Sequence, residues 1–291
     1  MTKSSSARRG IRLPVRRLKA NEIEVRETEL TKSDFDAIPE DERILFFMSG
    51  QIYNEIGILT AVLVQAIQTN KQGRPKAIRE TAIGTIYLMA RLLCNRIYEG
   101  WDRVGRDKSK LLFEALWSEL PELERVAIGP EVEAARARLV AYFEDDNALL
   151  KVARRKLASH LDRASFVGAY NLLPPDFPLH DFHTGKMGTT FYGGADSLAA
   201  IAPSFLIGTD DLSAGNEQMM TDVLAVGSDL RTVIDGYMVA FMISRFGTDV
   251  LAGRGEILRD LPSASSLRFH YFFAVPARLV RGSDSQARKP A

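Results

Sequence analysis

Two side chains with complementary chemistry lie six residues apart in the middle of this 291-residue chain. Arg154 carries a permanent cation whose planar guanidinium suits a phosphate group. His160 carries the side chain whose proton is most easily moved near neutral pH. Together the two groups can hold and cleave a phosphodiester without a metal ion. The same pattern also fits an ordinary helix with a basic face near its carboxyl end, where cations are favoured.

An amphipathic helix over about 147–162 is the element expected to position both groups. At about 100° per residue, Arg154 and His160 lie roughly 120° apart around this helix and flank its apolar stripe, whereas Arg155 points to solvent. The stripe contains Leu150, Ala153, Leu157 and Leu161. One helix cannot easily bring both groups to one phosphate. A two-fold dimer, which gathers two such helices in one cleft, is therefore expected.

Apolar periodicity predicts two long helices before the motif, over about 40–70 and 75–104. A short break that contains Gly73 and Pro75 joins them, so they should form a long antiparallel hairpin. The hairpin residues expected to face the core are Leu45, Ile52, Ile56, Leu63, Ile86, Met89 and Leu93. The other helices are expected near 109–120, 131–144 and 217–246.

The first 35 residues differ in composition from the rest of the chain. Residues 1–19 contain seven Lys and Arg residues and no acid, and 1–35 lack sustained periodicity. We expect a basic, disordered head here. Such an arm can add salt-sensitive, sequence-independent affinity for RNA, and a solvated terminus fits the composition equally well.

The remaining residues predict one helical domain over 36–250 and a partly ordered extension over 251–291. Within the domain, the frequent Pro and Gly residues near 171–216 indicate a small irregular insertion. Short strands are expected at 189–192 inside this insertion and at 269–275 in the extension.

Overall composition excludes several classes of protein. The net charge of +1 gives the whole molecule no field that demands nucleic acid. The single cysteine, Cys94, rules out a disulfide framework or a cysteine-based zinc site within one chain, and a reducing, cytoplasmic setting fits. The longest uncharged run, 56–70, is only 15 residues and partly polar, so no membrane span is expected.

A second histidine cluster lies in the Pro-rich region. His180 and His183 flank Asp181, a spacing that can bind a metal ion. No second pair of ligands is visible in the sequence, so a structured loop with incidental histidines is favoured. We therefore predict neither a metal nor a cofactor.

The stretch from Arg154 to His160, followed by Asp162, resembles the Arg-(four to six residues)-His motif of the HEPN superfamily of all-α proteins. More narrowly, it is similar to the Arg-Asn-Lys-x-x-x-His pattern of the bacterial, abortive-infection-like branch. Residues 91–101 also resemble the Tyr-Glu-x-Trp region of that branch. The resemblance covers roughly residues 40–247. It departs from the family at Arg155, where a small polar residue is usual.

The resemblance implies an all-α, HEPN-like bundle built on the long hairpin. It implies a metal-independent endoribonuclease or an RNA-binding protein of a toxin or defence type, acting as a homodimer and with a protein partner such as an antitoxin. Arg154 would then stabilise the phosphate, and His160 would be the general acid or base at the 2′-hydroxyl or the leaving oxygen. The residues expected to bind substrate beside them are Arg155, Lys156 and Asp162.

Two alternatives remain open from the sequence. The first is a non-catalytic, HEPN-like protein that works by dimerisation or partner binding, which Arg155 favours. The second is a hydrolase that uses His180 and His183 with a metal ion.

Overall fold

A computed structural model describes residues 22–70, 73–105, 107–158, 162–183, 190–262 and 266. These residues are mainly helical, so the predicted all-α bundle is confirmed. The α-helices are α1 (Lys32–Asp36), α2 (Glu40–Thr69), α3 (Lys76–Val104), α4 (Asp107–Glu119), α5 (Glu122–Glu144), α6 (Leu149–Ala153), α7 (Arg163–Asn171), α8 (Gly193–Ile207) and α9 (Ala214–Phe246). A π-helical turn, Arg154–Ala158, follows α6, and a 3₁₀ turn, Thr248–Ala252, follows α9. The strands are β1 (Ile23–Glu27) and β2 (Arg254–Leu258).

Helices α2 and α3 form the predicted hairpin, with ends close to the expected ones. Pro75 caps the start of α3 and cannot continue α2, which explains the break. The helices run antiparallel, because Arg96 pairs with Glu55 at 2.6 Å while the earlier Ile52 contacts the later Gly100. The predicted core residues that are buried are Leu45, Ile52, Ile56, Leu63 and Leu93. Ile86 and Met89 are half-buried and pack against them.

Helix α9 packs against both arms of the hairpin, and glycines allow the helices to approach closely. A Cβ atom on Gly100 would lie 2.8 Å from Leu230 Cδ2 and 2.9 Å from Ile52 Cγ2. A Cβ on Gly227 would lie 3.2 Å from Ile97 Cδ1. Because these neighbours are fully buried or nearly so, the three helices share one core that has no room for larger residues.

Helices α4 and α5 cover the remaining side of α9. The Phe113 and Tyr237 rings stack with centroids 3.9 Å apart, and Arg138 pairs with Asp229 at 2.6 Å. Helix α5 begins at Glu122, nine residues before the predicted start at 131. Pro130 lies inside it, because the loss of one backbone hydrogen bond does not end a helix whose other residues pack well.

The structure corrects the predicted disordered head over residues 22–35. Strand β1 pairs antiparallel with β2, from Ile23 opposite Leu258 to Glu27 opposite Arg254. Local periodicity gave no sign of this strand, because its partner lies near the other end of the chain. Helix α1 is held by Phe35, which is buried against the rings of Phe46, Phe47 and Phe246 at one end of the bundle. Residues 1–21 lie outside the described residues.

The predicted irregular insertion is also corrected. Helix α8 occupies Gly193–Ile207, although Pro203 lies inside it and glycines precede and follow it. Its buried residues 199–204 are mostly small and pack against the bundle, which explains why a Gly-rich and Pro-rich segment is still helical. In place of a strand at 189–192, Phe182 and Phe191 form an isolated antiparallel bridge. The strand predicted at 269–275 falls outside the described residues.

Helix α2 is the one helix of the described chain that is long and apolar enough to cross a membrane. Core helices of soluble proteins meet the same criterion, and α2 contributes Ile52, Ile56 and Leu63 to the core. Most other residues of α2 are half-buried, and Ile58 and Ile67 are apolar residues exposed on its surface.

Substituting alanine for each of two hairpin glycines tests the close packing. Gly100→Ala should lower the free energy of unfolding, because overpacking costs about 1–3 kcal/mol and exceeds the helix-propensity gain of about 0.5–1 kcal/mol. Gly57→Ala should raise it by that gain, because the nearest side-chain atom is 3.9 Å from the added Cβ. Urea denaturation followed by circular dichroism measures both. Equal stability of the two variants would contradict the packing described.

Candidate functional site

The motif segment is helical, but it is not a regular α-helix throughout. Leu150, Ala153 and Leu157 are buried, as the predicted apolar stripe requires. From Arg154 to Ala158 the backbone widens into a π-helical turn. The separation of about 120° between Arg154 and His160 assumed an α-helix, so it does not hold across this turn. Such turns are rare and often occur at functional sites. His160 lies outside the described residues.

Arg154, the first residue of the π turn, is held against an aromatic ring of α3. Its guanidinium carbon lies 4.4 Å from the centroid of the Tyr98 ring, a cation–π contact. The Nε atom is buried and has no hydrogen-bond partner, and no described acidic residue forms an ion pair with the guanidinium. The arginine is therefore fixed in position, while its charge and its Nε–H group have no acceptor among the described residues.

Arg154 lines a cleft of about 380 Å³ between the motif segment and the hairpin. The other lining residues are Met48, Gln51, Ile52, Glu55, Arg96, Glu99, Asp102 and Arg103. Three arginines and three acidic residues thus face the cleft, and its formal charge is balanced. The Arg96 guanidinium is engaged by Glu55 and Glu99, each at 2.6 Å. Arg154 differs from Arg96 in its partner, because it contacts the ring of Tyr98 and no described carboxylate.

A buried polar network connects the start of the motif segment to the core. The Tyr142 hydroxyl donates to Asp222 Oδ2 at 2.5 Å and accepts from the Leu150 backbone N–H at 3.1 Å. Gln218 donates to the other oxygen of Asp222 at 2.6 Å. Burial and the hydrogen bond to Asp222 raise the pKa of Tyr142, so its hydroxyl stays protonated. Tyr142 and Asp222 therefore fix α6 against α5 and α9.

This network was not among the predicted site residues, although one signal for it is present in the sequence. Asp222 lies between Met219 and Val223, which belong to the buried face of α9, and it is itself buried. A carboxylate in such a stripe needs hydrogen-bond partners. Its partner Tyr142 carries no comparable sign in the sequence.

Cys94 lies beside the motif but is unsuited to nucleophilic chemistry. Its thiol donates to the Leu150 carbonyl at 3.0 Å and is fully buried. Burial raises the pKa of Cys94 to about 12, and the nearby charge of Arg154 only partly opposes this. Since the thiolate is the reactive form, this thiol is inert near neutral pH.

The other predicted substrate-binding residues lie around the π turn. Arg155 and Lys156 are exposed, which agrees with the expected direction of Arg155. Asp162 caps the start of α7, where its carboxylate accepts from the Ser165 backbone N–H at 3.0 Å and from the Ser165 hydroxyl at 2.7 Å. These bonds lower the pKa of Asp162. A contact between any of these residues and a substrate stays a prediction.

The second histidine cluster is placed away from the motif. His180 Nε2 lies 2.7 Å from Lys76 Nζ at the start of α3, and His183 is exposed. Within the described ranges, no group of three or more His, Cys, Asp or Glu residues is arranged to hold a metal ion.

Comparison of the chain with protein-family models, with curated proteins and with solved structures finds no match. The function of the cleft is therefore inferred from its residues and their geometry.

Removing one hydroxyl tests how the motif segment is held. Tyr142→Phe should lower the free energy of unfolding by about 1–3 kcal/mol, because the Leu150 N–H and the buried Asp222 both lose a partner. Tyr170→Phe is the matched control and should change stability by less than about 0.5 kcal/mol, since Tyr170 is exposed. Urea denaturation compares the two. If the Tyr142→Phe protein is as stable as the control, the hydrogen bonds of Tyr142 do not hold the motif segment in place.

Proposed function

We propose that the protein is a HEPN-like, metal-independent endoribonuclease of a toxin or defence type that acts in the cytoplasm. Arg154 binds the phosphate of RNA, and His160 moves the proton. The observation that carries the proposal is the state of Arg154, which is fixed on Tyr98 beside an open cleft with no acidic partner among the described residues. The π turn at the same residue and the resemblance of the motif to HEPN proteins add support.

The proposed reaction needs these two side chains, the RNA and water. The 2′-hydroxyl attacks the neighbouring phosphorus, the bond to the leaving 5′-oxygen breaks, and a 2′,3′-cyclic phosphate forms. His160 takes the proton from the 2′-hydroxyl or gives one to the leaving oxygen, and water exchanges the other proton. A group with a pKa near the working pH transfers a proton best. The Arg154 fork binds the phosphate oxygens and stabilises the charge that develops on them. Lysine cannot replace this planar contact.

A second candidate function is non-catalytic dimerisation or partner binding. The charge-balanced lining of the cleft favours it, because three acidic residues oppose a polyanion such as RNA. Arg155, which stands where HEPN nucleases usually have a small polar residue, points the same way. The two candidates differ in whether RNA is cleaved.

We propose further that a second copy of the chain packs on the side of the hairpin that carries the cleft. We call this surface the hairpin face: Met48, Gln51, Glu55 and Ile58 on α2, with Leu88, Leu92, Arg96 and Glu99 on α3. Each set repeats at steps of three or four residues and so follows one side of its helix. Ile58, Leu88 and Leu92 are 64%, 43% and 40% exposed, although they are apolar. A two-fold axis near this face would bring two Arg154 side chains toward one shared cleft.

Cleavage assays with purified protein and RNA in the presence of EDTA test the chemistry. The wild type should cleave RNA, because no metal takes part, and its rate should change between about pH 5 and 8. Arg154→Ala and His160→Ala should each lose at least about 100-fold in rate. Arg155→Ala is the comparison variant: it removes the adjacent arginine, and it should lose much less activity than Arg154→Ala because that side chain is exposed.

Each result of these assays separates the candidates. Cleavage that survives in His160→Ala would show that another group is the catalyst. A folded protein that cleaves no RNA would favour the non-catalytic candidate.

Sedimentation of two glutamate variants tests the dimer. Ile58→Glu should convert a dimer to a monomer, because it places a charge in the apolar part of the hairpin face. Leu111→Glu on α4 is the matched control: Leu111 is 65% exposed, against 64% for Ile58, but lies outside that face. This control should remain dimeric. A wild type that is monomeric at micromolar concentration, or dimeric in both variants, would contradict the assignment of this face.

A further inference from the structure

A second cleft, of about 330 Å³, lies between α2 and α9 and is separate from the motif cleft. The lining residues that bear on its chemistry are Tyr53, Thr60, Ser228, Arg231, Thr232 and Asp235. Tyr53 precedes Glu55 of the hairpin face by two residues, which is about 200° around α2. The second cleft therefore opens on the opposite side of α2. Its volume falls within the range of small-molecule sites, roughly 300–1,000 Å³.

Among the described residues, Arg231 is the only arginine that lines this cleft, and no described acidic residue forms an ion pair with it. Its guanidinium carbon lies 4.5 Å from the centroid of the Tyr53 ring, and Nη2 donates to the Tyr53 hydroxyl at 3.0 Å. The Nε atom is buried and has no hydrogen-bond partner, and no ion pair within the described part of the chain involves this residue. A guanidinium has five N–H donors, so most of its capacity is unused by the protein.

The groups around Arg231 are polar and lie on both helices. Thr60 faces the cleft from α2, while Ser228, Thr232 and Asp235 face it from α9. Asp235 is one helical turn beyond Arg231, and the two do not form an ion pair within 4.0 Å. Partial desolvation raises the pKa of Asp235, and the charge of Arg231 opposes this. The cleft thus offers a cation from Arg231, an acceptor one helical turn further along α9, and hydroxyl groups on both helices.

We propose that this cleft binds a small molecule that carries a phosphate or carboxylate group next to hydroxyl or amino donors. The anionic group meets the Arg231 fork, which is already oriented by Tyr53. The neighbouring donors meet Asp235 and the hydroxyl groups of Thr60, Ser228 and Thr232. A macromolecular polyanion does not fit this description, because the cleft is small and its second charged group is acidic. The site does not depend on the chemistry proposed for Arg154.

Binding of defined probes to the purified full-length protein tests the proposal. Isothermal titration calorimetry at constant ionic strength uses inorganic phosphate, glycerol 3-phosphate, lactate and serine, so that the phosphate and carboxylate arms are distinguished. At least one hydroxyl-bearing or amino-bearing probe should bind at millimolar concentration or below, and more tightly than inorganic phosphate. Arg231→Gln should weaken that binding at least tenfold.

Two further variants make the result specific. Ser228→Trp should abolish binding by filling the cleft, and because Ser228 is exposed the fold should be unaffected. Arg138→Gln is the matched control: it removes one positive charge from an exposed arginine outside the cleft and should leave binding unchanged. Circular dichroism confirms that each variant is folded.

The outcomes decide the proposal. The proposal is wrong if none of the four probes binds the wild type. It is also wrong if Arg231→Gln and Ser228→Trp bind a probe as tightly as the wild type does. Equal weakening in Arg138→Gln would show a general charge effect and would also overturn it. RNA cleavage measured in the same variants keeps the two proposals apart, since none of these substitutions touches Arg154 or His160.

Discussion

The close approach of three helices at Gly100 and Gly227 is the constraint on which the rest of the structure depends. Because a hydrogen atom replaces a side chain at each point, Leu230 and Ile52 pack directly onto the backbone of α3, and Ile97 onto that of α9. This contact consumes the inner sides of α2 and α3. The motif cleft opens beside this contact, between α2, α3 and the motif segment, and the second cleft opens between α2 and α9. The positions of Arg154 and Arg231 therefore follow from the packing of residues that take no part in chemistry.

Both arginines are held in the same way, although they belong to different helices. Each guanidinium lies over a tyrosine ring of the hairpin and leaves a buried Nε without a partner. A ring fixes the direction of a guanidinium without neutralising it, which an ion pair with Asp or Glu would do. Arg96, which lines the same cleft as Arg154, differs because it forms ion pairs with Glu55 and Glu99. The residue type therefore does not show whether an arginine is free to bind a ligand. Its partners in the structure do.

The sequence was sufficient to predict features that depend on local periodicity. The long hairpin, its core residues and the buried stripe at Leu150, Ala153 and Leu157 all follow from the spacing of apolar residues. Features that depend on distant partners could not be predicted. These are the pairing of β1 with β2, the network between Tyr142 and Asp222, the π turn that changes the geometry of the motif, and the cleft at Arg231. Helix α8 was missed for another reason, because its composition resembles a loop while its small residues suit close packing.

The pairing of β1 with β2 joins the first and the last secondary-structure elements of the described chain. Ile23 lies opposite Leu258, so the start of β1 and the end of β2 lie at the same end of the ribbon. At the other end of the ribbon, Gly253 allows the backbone before β2 to lie close to the end of β1, since a Cβ there would lie 2.5 Å from the Glu27 carbonyl oxygen. Both strands are five residues long and mostly exposed, so we expect the ribbon to open at a lower free energy than the buried helices. Each strand is the other's partner in the described sheet, so a substitution that breaks the pairing would release both ends of the described fold together.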